Sequence, residues 1–260
     1  MNTENIKIRP AWAKSRDEIW DETFERLGSE EKTGKTFPVR IWLRACAAAG
    51  LLALILTGGL YTESREAARG EHATVYMPDG STVVLNAGSK LSYRPLAWAF
   101  SRKALRLEGE ACFEVKPGGA FRVLSGRNTV TVRGTAFNVY ARPEMYRVTC
   151  LAGRVEVRAG SETFLLGQGM QVTCREGKPA VAENVAPGEA AGWRRQKFVF
   201  VETPLAEVVA EMERQYDIRI TPSAEGLNHL YTGNFVKTEK PEDVLDIIGR
   251  PFGITFNIEK

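Results

Sequence analysis

The chain has 260 residues, room for one or two domains with appendages. Its 43% hydrophobic and 26% charged content excludes a mostly disordered chain, and 24 Gly and 12 Pro exclude a collagen-like or proline-rich stalk. A formal charge of +3 gives no reason to expect direct nucleic-acid binding, although the sum hides where the charges sit.

The first element is an amphipathic helix in the N-terminal tail. Ile19, Trp20, Thr23, Phe24 and Leu27 fall on one helical face, with Asp17, Glu18, Asp21, Glu22 and Glu25 opposite. Trp12 adds a further aromatic upstream. A tail of this length cannot build a normal core alone. An acidic polar face disfavours an anionic membrane surface, so a helix docking in a partner's groove fits better. A tail folded over itself is the alternative.

A membrane span follows. Residues 45–61 read ACAAAGLLALILTGGLY without a charge, and Ile41, Trp42 and Leu43 extend the run past Arg44. From 41 to 62 the helix would be about 33 Å long, enough for a hydrocarbon core of about 30 Å. A buried core helix or a cleaved signal peptide would be the other readings. The residues preceding the run are too many for a signal-peptide leader, so a signal anchor is expected. Lys32, Lys35, Arg40 and Arg44 precede the span, and the mixed charges Glu63, Arg65, Glu66, Arg69 and Glu71 follow it. The positive-inside rule then places the N-terminus in the cytoplasm and the remainder outside.

From Ala73 to about Ala182 the period is 2. Short runs such as ATVYM, TVVLN, KLSYR, ALRLE, ACFEV, FRVL, TVTVR, AFNVYA, YRVTCL and RVEVR are separated by turn residues, Gly109, Gly153 and Gly160 among them. This predicts an all-β sandwich, barrel or roll. Pro187 and Gly188 mark a linker within Glu183–Ala191. Beyond Phe198 the pattern becomes strand, helix, strand, twice. Thr203 is read as a helix cap with Pro204 in the first turn, and Pro241 opens the second helix. At a spacing of 36, Val208 matches Val244, Val209 Leu245, Met212 Ile248, Tyr216 Phe252, Ile218 Ile254 and Ile220 Phe256, which predicts a repeated βαβ unit.

Motifs for catalysis, metal or cofactor binding are not visible. His72 and His229 read as solvated, Asp79 as a hairpin residue, and Glu108, Glu110 and Glu114 as the solvated face of a strand. The four cysteines form no CxxC pair, and a bridge between Cys150 and Cys174 is left open. No catalytic residue, cofactor or metal is therefore expected.

Several motifs, in order, carry a resemblance: MPDGSTVVLNAGSKLSY from Met77, LRLEGEACFEV from Leu105, VRGTAFNVYA from Val132, LAGRVEV from Leu151, LLGQGMQV from Leu165, Trp193, and KFVFVETPLAEVVAEMERQYDI from Lys197. The sequence resembles the FecR family of transmembrane anti-sigma factors, of the Bacteroidetes type. Its C-terminal repeat is similar to secretin/TonB short N-terminal modules. Cys112 stands where an aromatic is frequent in that family, and the tail is shorter than usual. The resemblance implies a single-pass inner-membrane sensor. It would relay a signal from the periplasmic signalling domain of an outer-membrane TonB-dependent receptor to an extracytoplasmic-function sigma factor held by the tail. Trp12, Ile19, Trp20, Phe24 and Leu27 are the expected sigma-factor contacts. The expected fold is mainly β with α+β: a cytoplasmic tail (1–40), a transmembrane helix (41–62), a periplasmic all-β domain (63–187) and a C-terminal α/β domain (188–260). The rival functions are an envelope enzyme, for which no Ser/His or paired-acid cleft is evident, and a periplasmic scaffold or carbohydrate-binding module without signalling.

Overall fold

The computed structural model describes residues 14–28, 42–50, 61–99, 103–143, 145–175, 178, 181–223, 227–238 and 240–259. Residues 1–54 and 55–260 form two separate compact units.

The first unit contains α1 (Arg16–Gly28) and α2 (residues 42–50). Among the described residues, no helix is long and apolar enough to cross a membrane. Residues 41 and 51–60 of the expected span lie outside the described residues.

The second unit is built on two sheets that share one long strand. β5 (Lys103–Glu114) pairs through its first half with β4 (Ser89–Tyr93) and β6 (Phe121–Ser125). Through its second half it pairs with β3 (Thr82–Leu85) and β8 (Ala136–Arg142). The first sheet continues outward to β1 (Glu63–Ala67) on one side and to β7 (Asn128–Val132), β10 (Arg154–Ala159) and β11 (Glu162–Gly167) on the other. The second adds β2 (Ala73–Tyr76) beside β3, and β9 (Met145–Ala152), β12 (Met170–Arg175) and β13 (Val181–Asn184) beyond β8. Pairing is antiparallel except between β5 and β6. Side chains from both sheets, among them Leu85, Leu107, Phe113, Phe121, Val130, Phe137, Val148 and Val157, fill one apolar core.

Two expected short strands, ALRLE and ACFEV, are thus one strand, and Gly109 is its bend rather than a turn between strands. Its φ is +101°, and a Cβ there would meet Ser89 Oγ at 2.5 Å and Ser89 Cα at 2.8 Å. Only glycine accommodates that backbone and that approach. The β portion also holds a helix not expected from sequence, α3 (Pro95–Ala99). Its Trp98 is buried edge-on between the rings of Tyr93 and Phe121, each 5.5 Å away. Cys174 lies opposite Tyr146, four positions along β9 from Cys150. That is about 13 Å at strand rise, beyond the roughly 7 Å Cα separation a disulfide allows. All four cysteines are free.

The expected linker, 183–191, takes in the end of β13 and carries α4 (Pro187–Ala190), and a 3-10 turn, Gly192–Arg195, follows it. The C-terminal elements follow: β14 (Lys197–Pro204), α5 (Leu205–Tyr216), β15 (Arg219–Pro222), β16 (Leu230–Val236), α6 (Pro241–Gly249) and β17 (Phe256–Glu259). The 36-residue correspondence is visible in burial: Val208 and Val244, Val209 and Leu245, Met212 and Ile248, Ile218 and Ile254 are all in the module's core. The pairing is not that of a parallel βαβ unit. β14 pairs antiparallel with β16, and β15 with β17, so each sheet takes one strand from each repeat. Thr221 lies opposite Asn257, its own counterpart at that spacing. Thr203 is not a helix cap. It belongs to β14, its hydroxyl donates to Val201 O at 3.2 Å, and Pro204 occupies the N-cap position.

Candidate functional site

The expected partner-binding stripe lies on α1, whose start is set by a reciprocal capping box. The Ser15 N–H donates to Glu18 Oε2 at 2.8 Å, and the Glu18 N–H donates to Ser15 Oγ at 3.3 Å. Lys14 pairs with Glu22 at 2.6 Å. Ile19, Trp20 and Phe24 are 43%, 54% and 64% exposed, and the rings of Trp20 and Phe24 lie 5.7 Å apart. The helix therefore presents an aromatic stripe to solvent. Position 27 falls in its last turn, and Trp12 lies outside the described residues.

A second constellation lies where α5 meets the outer face of the β8 sheet. Glu110 is 3% exposed, so it is not on a solvated strand face; Glu108 and Glu114 are. Asn86 Nδ2 donates to Glu110 Oε2 at 2.7 Å, and Asn138 Nδ2 donates to Glu110 Oε1 at 2.8 Å. The orientation of both amides is fixed by donor-only neighbours. Trp193 Nε1 donates to Asn138 Oδ1 at 3.3 Å, and the Ala87 N–H donates to Asn86 Oδ1 at 2.8 Å. From α5, Gln215 Nε2 donates to Asn86 Oδ1 at 2.7 Å and to Glu211 Oε1 at 2.8 Å. Arg214 Nη2 reaches Glu211 Oε2 at 2.8 Å and donates to the Tyr140 hydroxyl at 3.3 Å.

The two buried carboxyls are pushed apart. Burial raises the pKa of Glu110, and the charge of Glu211 raises it further against the pull of Arg147, Asn138 and Asn86. Burial also opposes ionisation of Glu211, but Arg214 and Arg142 outweigh it and hold that carboxyl below its ordinary value. The surroundings thus push Glu110 toward its protonated form and Glu211 toward its ionised form. His72 sits at the mouth of this cluster, its ring edge-on to Trp193 with centroids 5.1 Å apart. Partial burial of the ring lowers its pKa, opposed by the polar side chain of Gln215 nearby. Its own exposure is that of a solvated residue, as expected, and so is that of His229, whose ring stacks on Phe252 at 4.8 Å.

Chemically, the cluster is a clasp. It contains no nucleophile beside a base. Cys112 is nearby, but burial pushes its thiol up to about 11 despite Arg194 at 3.5 Å. Among the described residues no group of three or more His, Cys, Asp or Glu side chains is placed to hold a metal. The segment after β1 strengthens the clasp at the C-terminal end of α5. The Gly70 N–H donates to Arg214 O at 2.7 Å, and Arg69 donates to Ile218 O at 3.1 Å and pairs with Asp217 at 3.4 Å. The sequence signal for this site was partial: Trp193, Glu110 and Asn86 lie in quoted motifs, but no local pattern marks them as one cluster.

Residues 64–156 match the family described as FecR protein, and residues 197–260 match that described as FecR, C-terminal. No curated protein matches the chain. Two crystal structures of a "putative anti-sigma factor" from Parabacteroides distasonis ATCC 8503 are similar. One, at 1.65 Å resolution, is 25% identical, covers 76% of this chain and 100% of its own, and superposes with a TM-score of 0.68. The other, at 2.50 Å, is also 25% identical, covers 77% of this chain and 100% of its own, and has a TM-score of 0.67.

Proposed function

We propose, because the chain belongs to the FecR protein family, that it is an anti-sigma factor anchored in the bacterial inner membrane by one span over residues 41–62. The family gives it a regulatory role. In the finer reading, the tail holds an extracytoplasmic-function sigma factor in the cytoplasm, and the two-sheet body and C-terminal module stand in the periplasm. There they receive a signal from the periplasmic domain of an outer-membrane TonB-dependent receptor. The observation that carries this reading is the ordered match of both FecR segments. The exposed Trp20 and Phe24 support the tail's part in it, since large aromatics without a core of their own are candidate anchors.

The test is capture of the sigma factor by the full chain. Truncating an anchor typically costs about 2 kcal/mol or more, so Trp20→Ala with Phe24→Ala should weaken capture by well over about tenfold while leaving membrane insertion intact. Glu18→Lys with Glu22→Lys should give only a salt-dependent loss. Wild-type capture and repression by the aromatic double variant would remove the tail from the mechanism.

A further inference from the structure

Strand register locates one end of the first sheet relative to the apolar segment. β1 begins at Glu63, two residues after Tyr61. Glu63 lies opposite Tyr93, Tyr93 opposite Leu105, Leu105 beside Val123, Val123 opposite Val130, and Val130 opposite Val157. Moving past this row in the direction of Tyr61 leads to Arg94 at the end of β4 and Arg122 on β6. It leads on through Thr131 to Arg133, and through Glu156 to Arg154. All four arginines are exposed, and none makes an ion pair among the described residues. Exposed Lys116 joins them across a groove that it lines together with Pro117, Gly134 and Gly153. The acids at this end are largely spent: Glu63 pairs with Arg65 and accepts from Tyr93, and Asp79 pairs with Lys103. Glu156 is the acid left without an ion pair there. The opposite end is mixed in sign: Glu66 is bonded to Lys90, and exposed Glu108 and Glu162 stand there with exposed Arg127 and Arg158.

We propose that this end of the sheet, carrying Arg94, Lys116, Arg122, Arg133 and Arg154, docks on the anionic phospholipid headgroups of the membrane that anchors the chain. The inference rests on the reading of residues 41–62 as a span. Guanidinium groups match phosphate geometry. Two extended residues reach at most about 7 Å, so an interfacial Tyr61 holds the start of β1, at this end of the sheet, within about one Debye length of the surface. Such a tether makes weak contacts sufficient, which favours the membrane over a soluble polyanion that must bind unaided. Docking would set how the body stands on the bilayer.

The experiment uses the full chain in lipid nanodiscs of phosphatidylcholine alone, or of equal parts phosphatidylcholine and phosphatidylglycerol, with amide exchange as the readout. Exchange at residues 131–134 and 153–156 should slow about fivefold or more with phosphatidylglycerol, the contribution expected of one basic residue near an anionic surface. High salt, or the triple variant Arg122→Glu, Arg133→Glu and Arg154→Glu, should abolish the difference while exchange in β8 stays unchanged. Equal exchange in both lipid compositions overturns the proposal. So does equal protection conferred in phosphatidylcholine discs by dextran sulfate, which would make the ligand a soluble polyanion. A carbonate wash of phosphatidylcholine vesicles separates the two readings. If it strips the chain, the span falls, while phosphatidylglycerol-dependent protection still supports the face and its absence still overturns it.

Discussion

Glu110 and Glu211 are close in chemistry and opposite in consequence. A carboxyl raised by folding, like Glu110, contributes stability that is fully present below its unfolded value near 4.5 and is lost as pH rises through its folded value. A lowered one, like Glu211, contributes stability above 4.5 that is lost as pH falls through its folded value. Glu211→Gln should therefore destabilise the fold by about 3 kcal/mol at neutral pH, because it leaves buried guanidinium charge less compensated. Chemical denaturation at neutral and acid pH checks this: the gap between variant and wild type should shrink on acidification. Glu110→Gln should not rescue stability although it removes a carboxyl whose charged form burial disfavours. Both Glu110 oxygens accept from amides whose orientation is fixed, so the new N–H would face an N–H, at a cost of about 1–3 kcal/mol. Gly109→Ala should cost at least as much, about 2–4 kcal/mol, since the added Cβ meets Ser89 backbone at 2.8 Å on a positive-φ residue. A thermal melt well below wild type is the expected result; an unchanged melt would mean that β5 can bend elsewhere.

Among the elements, α1 lacks tertiary cover over its described residues, so its order depends on local devices. The capping box of Ser15 and Glu18 is one of them. Ser15→Ala should cost the helix about 1 kcal/mol, and sigma-factor affinity should fall about fivefold if the helix must be formed to bind. Calorimetric titration of the sigma factor with the full chain reads this directly. The helices of the C-terminal module behave differently. α5 buries Leu205, Val208 and Met212 on one side and turns Glu211 and Gln215 into the clasp on another, so its stability comes from packing rather than capping. That is why Thr203 is dispensable as a cap and stays in the strand.

For the whole molecule, the topology reading makes a simple demand. A reporter fused after Ser64 should be active only outside the cytoplasm, and one fused before Lys35 only inside. Activity of both in one compartment would reverse the charge argument drawn from Lys32, Lys35, Arg40 and Arg44. The sequence by itself determined what depends on local periodicity and composition. The alternation of inward Val, Leu and Phe marks the strands, the 36-residue correspondence marks the two halves of the C-terminal module, and the aromatic face of α1 follows from helical spacing. What only the tertiary structure decided is what lies against each face. Glu108, Glu110 and Glu114 alternate on one strand and look alike in sequence, but β5 passes between sheets at Gly109 and the C-terminal module covers only part of the outer face. Glu110 is buried beneath it while its two neighbours remain in water. The same holds for the basic end of the first sheet: Arg94, Arg122, Arg133 and Arg154 are distant in sequence and average into a charge of +3. They become one surface only through strand register, because pairing brings together residues that no local window contains.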